Sequence, residues 1–307
     1  MSEIDLDTCK FRGGPHAFMS FMEKFLDSSS RVEKPCLHKV KLTTVEDDFT
    51  RWIDFVATPE LEHLDFECKP VVSGTLMPLR LYTCSPKLRH LRLHGVFLGS
   101  TSVSLPCLKT MRLENNTYAD EACLELLISS CPLLEDFSFV RMPGSCGVNV
   151  LRVHSKTLTS LSIETGVHDY DFQNNDRISV KVLINAPRLK YLNLCDFISE
   201  CKTISNVGSL TKVNLGRYCD NVPDHFFTGI SEVRDMKIAG SAFRIASTFG
   251  GLPAEMKLVR YFAENSVVLK KLSLRLKSSM DEQDSVALRD ILLALPTLSS
   301  ACEIVVC

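Results

Sequence analysis

The sequence predicts an α/β solenoid, a fold in which short parallel strands stack side by side over one shared core. An apolar residue is followed three and five positions later by two more, L-x-x-L-x-L, ten times along the 307 residues. Successive first positions lie 24, 27, 20, 26, 24, 31, 21, 23 and 36 residues apart. Most of these spacings fall in or near the 20–29-residue period of leucine-rich repeats. Helical periodicity between the triplets supports the same architecture.

Each triplet predicts one strand whose three apolar side chains enter the core. Because side chains alternate between the two faces of a strand, the residues between them face the concave surface. We therefore predict a leucine-rich-repeat solenoid, an RNI-like horseshoe. The triplets are Leu37/Val40/Leu42, Leu61/Leu64/Phe66, Leu88/Leu91/Leu93, Leu108/Met111/Leu113, Leu134/Phe137/Phe139, Leu158/Leu161/Ile163, Leu189/Leu192/Leu194, Leu210/Val213/Leu215, Val233/Met236/Ile238 and Leu269/Leu272/Leu274.

Three segments with helical periodicity predict the outer layer of the first repeats. Two of them carry apolar residues at i, i+3, i+4 and i+7, which is one helix face: Phe18, Phe21, Met22, Phe25 and Leu26, then Phe49, Trp52, Ile53 and Val56. A third helix is predicted from Asp120 to Ser130, closed by Pro132, with three inward residues: Cys123, Leu126 and Leu127. We expect residues 1–36 to form an N-terminal helical cap segment and residues 37–250 to hold the repeats.

The middle of the chain predicts strands on the outer side instead. Apolar residues alternate there with other residues, at Val148 and Val150 and then at Ile178, Val180, Val182 and Ile184. Residues 166–176, rich in Asp, Asn and aromatic residues, are expected to form a surface excursion.

The last segment, residues 251–307, is predicted to continue the stack as its C-terminal cap. After Gly250 a helix should bury Met256, Val259, Phe262 and Ala263, and a second helix with Asp284 as N-cap should bury Leu288, Ile291, Leu292 and Leu295. A strand from Cys302 to Val306 should end the stack. An atypical end unit of this kind shields the last apolar layer from water.

Composition limits the functions to be considered. A net charge of −2 provides no basic field for nucleic acid, and no apolar run reaches the 18 residues that a membrane span needs. The acidic start is unlike a signal peptide, and the 13 cysteines contain no C-x-x-C pair. We therefore expect one continuous domain with reduced thiols, in the cytoplasm or nucleus, with no nucleic acid, membrane or cofactor among its partners.

The densest group of charged and histidine side chains lies between the apolar residues of three consecutive predicted strands. Its members are His63, Asp65, Glu67, His90, Arg92, His94, Arg112 and Glu114. We predict that a protein partner with charges of both signs binds here. The alternative, equally weighted, is the ordinary solvated face of a sheet, since exposed charge pairs typically stabilise a protein by only about 0–1 kcal/mol.

Metal binding and catalysis find little support in the residue pattern. His90 and His94 lie four apart on one strand, which separates them by about 13 Å, too far to share an ion. No G-x-S-x-G, phosphate-binding loop, Rossmann or H-E-x-x-H motif occurs, so we predict no enzyme activity and no catalytic or metal-binding residues. Cys195 would be an exposed thiol on the concave face and is expected to be inert.

Several segments resemble plant F-box proteins that carry a C-terminal FBD module. The FBD-like segments are 258–265, 268–274 and 302–306 together with Leu295-Pro296, and the repeat-like segments are 130–137 and 186–192. The resemblance implies a substrate receptor of a Skp-cullin-F-box (SCF) ubiquitin ligase, with an F-box holding the Skp adaptor and repeats holding the target.

No F-box pattern precedes the first triplet, so we expect this chain to lack that adaptor-binding part. The leading hypothesis is a protein-interaction scaffold that resembles the substrate-recognition part of the ligase. The alternative is a competitor of related receptors, which would bind their targets without ligase activity.

Overall fold

All ten apolar triplets lie in strands, or begin just before them, in a computed structural model of the chain. The structure describes residues 2–7, 11–12, 17–18, 20–21, 23–24, 37–44, 49–69, 76–99, 102–141, 147–165, 180–196, 199–205, 208–216, 233–239, 249, 251, 253–266, 268–276 and 280–307. Every triplet side chain that it describes is buried. The predicted leucine-rich-repeat fold is therefore confirmed.

The chain forms two compact units, Met1–Val148 and Asn149–Cys307. In the first unit the strands are β1 (Ser2–Asp7), β2 (Leu37–Thr44), β3 (His63–Cys68), β4 (His90–His94), β5 (Phe97–Leu98), β6 (Thr110–Glu114), β7 (Thr117–Tyr118) and β8 (Asp136–Arg141). Its helices are α1 (Thr50–Val56), α2 (Leu79–Thr83) and α3 (Glu121–Ser129). The main sheet is parallel throughout, with the order β1-β2-β3-β4-β6-β8, and β5 pairs with β7.

The helices of the first unit cover the apolar side of this sheet. Phe49 and the α1 residues Trp52, Ile53 and Val56 are buried as predicted, and the Phe49 ring lies 4.7 Å from that of Phe66. Burial of each such side chain stabilises the fold by about 1.5–3 kcal/mol. The periodicity of this short segment thus predicted the buried face of α1 correctly.

The described part of the N-terminal segment agrees only partly with the predicted cap. Residues 17–18, 20–21 and 23–24 are helical, and the ring of Phe18 is buried 5.3 Å from that of Trp52. Phe21, predicted on the same face, is 40% exposed, while Met22, Phe25 and Leu26 lie outside the described residues. The sequence did not predict β1, which pairs with β2.

Helix α3 confirms the third predicted helix but corrects its inward face. Its N-cap is Asp120, whose Oδ1 accepts a hydrogen bond of 2.8 Å from the backbone nitrogen of Cys123. Leu124, Leu127 and Ile128 are buried. Cys123 and Leu126, both predicted to face inward, are only partly buried. The buried stripe is therefore rotated relative to the predicted one.

In the second unit the strands are β9 (Val150–His154), β10 (Ser160–Thr165), β11 (Val180–Asn185), β12 (Tyr191–Cys195), β13 (Ser199–Ser205), β14 (Lys212–Gly216), β15 (Asp235–Ala239), β16 (Lys271–Leu274) and β17 (Glu303–Val306). Its helices are α4 (Pro253–Asn265) and α5 (Glu282–Leu293). The main parallel sheet here has the order β10-β12-β14-β15-β16-β17.

A separate parallel sheet, β9-β11-β13, confirms that this part of the chain uses strands outside the main sheet. Val182 and Ile184 are buried as expected. Val148 is also buried as predicted, but Val150 is only partly buried. Within β9 the buried residues are Leu151 and Val153, so the prediction was wrong at Val150. The sequence did not predict β13, and Ile178 and the expected excursion at 166–176 lie outside the described residues.

The two helices of the C-terminal segment form as predicted, with corrected details. Val259, Phe262 and Ala263 of α4 are buried, while Met256 is partly exposed. The N-cap of α5 is Asp281, whose Oδ1 accepts a 2.7 Å hydrogen bond from Glu282 N, rather than the predicted Asp284. Leu288 and Leu292 face the interior and Leu295 is partly buried, but Ile291 is 52% exposed because it lies at the flank of that stripe.

Gly251 allows α5 to approach closely. Its φ of +75° is a conformation that side chains with a Cβ rarely adopt, and a Cβ at this position would lie 2.9 Å from Leu288 Cδ1. A residue with a Cβ would therefore strain the backbone here and displace the Leu288 side chain.

Candidate functional site

The parallel register brings the eight predicted partner-binding residues together on β3, β4 and β6. They form three cross-strand rows: His63 beside His90; Asp65 beside Arg92 and Arg112; and Glu67 beside His94 and Glu114. Neighbouring strands are about 4.8 Å apart, so each row brings its side chains into direct reach of one another. We call these eight residues the charged patch.

Arg92 is the centre of the charged patch. Its Nη1 donates to Asp65 Oδ1 at 2.7 Å and its Nε donates to Glu114 Oε2 at 2.8 Å, while Glu67 Oε2 lies 3.4 Å from Nη1. Partial burial opposes its charge, but the hydrogen bond to Asp65 and the charge of Glu114 outweigh that effect and raise the pKa of Arg92. One guanidinium thus links carboxylates on two neighbouring strands.

Glu114 is the most deeply buried carboxylate of the charged patch, with a relative exposure of 7%. Besides Arg92, it accepts a hydrogen bond from Nε of Arg112. The Arg112 side chain is 56% exposed, so its guanidinium reaches solvent while remaining anchored to Glu114. A buried carboxylate needs such partners, since an unpaired charge at this depth would be strongly destabilising.

Glu67 contacts a lysine just after its own strand and a histidine on the next strand. Lys69 Nζ lies 2.8 Å and His94 Nδ1 lies 3.2 Å from Glu67 Oε1. Burial disfavours the ionised carboxylate, but the Lys69 hydrogen bond and the charge of Arg92 prevail and lower the pKa of Glu67 to about 2. The group therefore remains ionised well into the acid range.

The first row of the charged patch contains the two histidines of β3 and β4. The rings of His63 and His90 lie 5.4 Å apart between centroids and are tilted by 42°. Within the described residues, no group of three or more His, Cys, Asp or Glu side chains is arranged to hold a metal ion.

The turns after β4 and β6 hold the ends of these strands in place. Asn115 and Gly95 have positive φ angles of 50° and 71°, and the buried Asn116 accepts from Val96 N and donates to Leu93 O, both at 3.0 Å. These bonds satisfy backbone groups that burial would otherwise leave unpaired. The charged patch therefore lies on a fixed backbone.

The second unit carries a different polar network at the equivalent positions of its sheet. Asn193 Nδ2 donates to Ser162 Oγ and to Glu164 Oε1, both at 2.8 Å, and Asn214 Nδ2 donates to Asn193 Oδ1 at 2.6 Å. Cys195 is partly buried and its thiol lies 3.3 Å from the same Asn193 oxygen. We call this network the amide ladder; the sequence placed its residues on the sheet face but did not predict their pairing.

Comparison with known proteins places the chain among plant proteins with the same architecture. The model for the leucine-rich repeats of FBD-associated F-box protein At5g56370 matches residues 49–220, and the FBD model matches residues 242–274. FBD-associated F-box protein At5g22730 of Arabidopsis thaliana is 39% identical, covering 99% of this chain and 85% of the relative. This chain belongs to the FBD-associated F-box protein family.

Two further Arabidopsis relatives of this family member support the assignment. FBD-associated F-box protein At5g44490 is 37% identical over 99% of this chain and 82% of its own length. Putative FBD-associated F-box protein At5g22720 is 52% identical over 75% of this chain, which spans about half of that relative (52%). The alignment with At5g44490 extends over 399 positions and the alignment with At5g22730 over 404. Both are longer than the 307 residues of this chain, so At5g44490 and At5g22730 carry segments that have no counterpart here.

The family assignment confirms the resemblance to plant F-box proteins with leucine-rich repeats and an FBD module. The FBD match at 242–274 overlaps the start of the predicted C-terminal module, whose bounds of 251 and 307 remain a prediction, as do those of 1–36 and 37–250. Within the described residues, no helix has both the length and the apolar character that a membrane span requires.

Proposed function

We propose that this family member is a protein-interaction scaffold whose repeats recognise a target protein, in the manner of the substrate-recognition part of an SCF ubiquitin ligase. The charged patch is the proposed contact surface. The role requires binding but no bond-making step, so the chain would be a non-catalytic component of such a complex.

The ordering of Arg92 and Arg112 is the observation that carries this proposal. Long charged side chains normally lose rotational freedom when a partner immobilises them, at about 0.5–1.5 kcal/mol each. Here Asp65 and Glu114 already hold both guanidinium groups. A partner that contacts the exposed Arg112 therefore binds side chains that are already ordered, so little rotational entropy is lost on binding.

A charge reversal on the exposed side of the patch tests the proposal. Arg112→Glu should abolish capture of the target from plant extract, whereas Lys156→Glu, an equal charge change at an exposed site in the second unit, should preserve it. Mass spectrometry of the captured proteins provides the measurement. Identical protein sets for both variants would exclude the charged patch as the contact surface.

Binding of the purified chain to the Skp adaptor distinguishes the two forms of the proposed function. Reproducible binding supports a ligase receptor. Target binding without adaptor binding supports the alternative, a competitor that protects targets from related receptors. In the second case, raised levels of the chain should lengthen the lifetime of the target, measured after synthesis is blocked.

A further inference from the structure

Three cations of the second unit occupy one repeat position at the start of neighbouring strands. Lys190, Arg234 and Lys270 immediately precede β12, β15 and β16, and Thr211 precedes β14 between the first two. Backbone hydrogen bonds join the four residues in order, from Thr211 N to Lys190 O at 3.0 Å, from Arg234 N to Thr211 O at 2.9 Å and from Lys270 N to Arg234 O at 2.8 Å. All four residues are exposed. We call Lys190, Arg234 and Lys270 the basic row.

The surroundings of the basic row add further positive charge. At the next repeat position Lys212 and Lys271 are exposed on either side of Asp235, and Lys212 Nζ lies 3.5 Å from Asp235 Oδ2. Glu303 is paired in register with Lys271 on the last strand. The two repeat positions together therefore carry five cationic side chains and only two carboxylates.

At the same repeat position in the first unit, cations and carboxylates balance, because Glu62 and Glu135 flank Arg89 and Lys109. There Lys109, just before β6, has its Nζ 2.9 Å from Oε1 of Glu135, just before β8. Two residues before the same position of the two preceding repeats, Lys87 Nζ lies 2.7 Å from Glu60 Oε2.

Within the part of the second unit that the structure describes, Lys190, Arg234 and Lys270 form no ion pair. The other residues at this repeat position are Thr159, Thr211 and Cys302, and none of them is acidic. The net positive charge is thus a local property of this edge in a chain of net charge −2.

We propose that the basic row is a docking site for an acidic peptide segment of a partner protein. The positive charge of the basic row favours an anionic partner, and the spacing of its cations matches an extended peptide. Lys190 and Lys270 are three strand intervals apart, about 14 Å at roughly 4.8 Å per strand, which four to five residues of an extended peptide span at about 3.3 Å each. Nucleic acid fits less well, since its affinity depends on many simultaneous phosphate contacts that this short row cannot make.

Fluorescence anisotropy with the full chain tests the proposal. The probe is a labelled decapeptide of alternating Glu and Ser, and its neutral counterpart has Gln in place of each Glu. We expect the acidic probe to bind and to weaken as salt rises from 25 to 250 mM, because exposed charges become screened over about 10 Å near 0.1 M. The triple variant Lys190→Gln, Arg234→Gln, Lys270→Gln should weaken binding on the order of tenfold.

A matched triple variant separates the basic row from net charge. Lys156→Gln, Lys181→Gln, Arg260→Gln removes three exposed cations elsewhere in the second unit and should leave the affinity unchanged. Equal losses in both triple variants would overturn the proposal, as would equal binding of the neutral peptide. Binding of a decauridylate RNA or of anionic lipid vesicles in place of the acidic peptide would also overturn it. The basic row and the charged patch lie in different units, so failure of one proposal is distinguishable from failure of the other.

Discussion

The exposed faces of the two units use the same backbone positions for different chemistry. In the first unit Arg92 is hydrogen-bonded to Asp65 and Glu114, so charges of opposite sign neutralise one another across strands. In the second unit the equivalent central positions of β12 and β14 carry the amides Asn193 and Asn214. The buried faces do not differ in this way, because both are built from leucines and other apolar residues.

This difference shows that the repeat constrains the buried triplet positions but not the exposed positions between them. Every strand must bury its triplet, since an unburied apolar face loses about 25 cal/mol for each Å² left in water. The side chains between the triplet residues are under no such constraint, provided that buried polar atoms find partners. The surface chemistry of each unit can therefore serve recognition independently of the core.

Truncation of the shared core should have the largest effect and should be similar in both units. Leu91→Ala and Leu192→Ala each remove a side chain with at most 2% exposure, and each should lower the free energy of unfolding by about 2–5 kcal/mol. Urea denaturation measures the change. Leu133→Ala, at a site 47% exposed, should change stability by less than about 0.5 kcal/mol. A loss in only one unit would show that the two cores are not equivalent.

Breaking the centre of each polar network should reveal the difference between the faces. Arg92→Met leaves Asp65 and Glu114 without their main partner and should destabilise the first unit by about 1–3 kcal/mol, with an effect that depends on salt. Asn193→Ala removes one hydrogen bond to the neutral Ser162 hydroxyl and one to the Glu164 carboxylate, and it should lower the free energy of unfolding by about 1 kcal/mol. Denaturation at low and high salt measures both. A salt-independent loss in Arg92→Met would contradict the electrostatic account of the charged patch.

Acid should weaken the charged patch through Glu67. Its pKa is lowered to about 2 in the fold, from an ordinary value of 4.5, so the folded state binds this proton less readily than the unfolded chain does. The stability that it contributes is therefore complete above about pH 4.5 and is lost as the pH falls towards 2. Glu67→Gln should reduce the acid dependence of unfolding over that range. Leu133→Ala is the control, because it removes neither a titratable group nor a hydrogen-bonding side chain and should leave the slope unchanged.

Much of the fold could be predicted because burial leaves a periodic trace in the sequence. The triplets predicted ten strands correctly, whereas β13, with the sequence Ser-Glu-Cys-Lys-Thr-Ile-Ser, alternates too weakly to be recognised. The N-cap of α5 was missed because Asp281 and Asp284 both suit that role by residue type, and only backbone geometry distinguishes them. Local patterns thus predict elements better than they predict which residue begins an element.

The members of the charged patch could be predicted, but their pairings could not. Alternation along each strand placed Asp65, Arg92 and Arg112 on one face, yet their contacts depend on the register between strands and on side-chain rotamers. The basic row shows the same limit. In the sequence Lys190, Arg234 and Lys270 lie in separate repeats, and only the parallel register makes them neighbours.

The smallest predicted effect distinguishes a hydrogen-bonded serine from a solvated one. From sequence alone, Ser162→Ala should be nearly silent, but Ser162 Oγ donates to Glu164 Oε1 and accepts from Asn193 Nδ2, both at 2.8 Å. We expect a loss of about 0.5–1 kcal/mol in the free energy of unfolding. Ser138→Ala, at the equivalent position of β8, is the matched control and should change stability less, because no hydroxyl hydrogen bond forms there within the described residues. In a double-mutant cycle Ser162→Ala and Asn193→Ala should be non-additive, since each removes the same bond; additive losses would show that the amide ladder contributes no coupling.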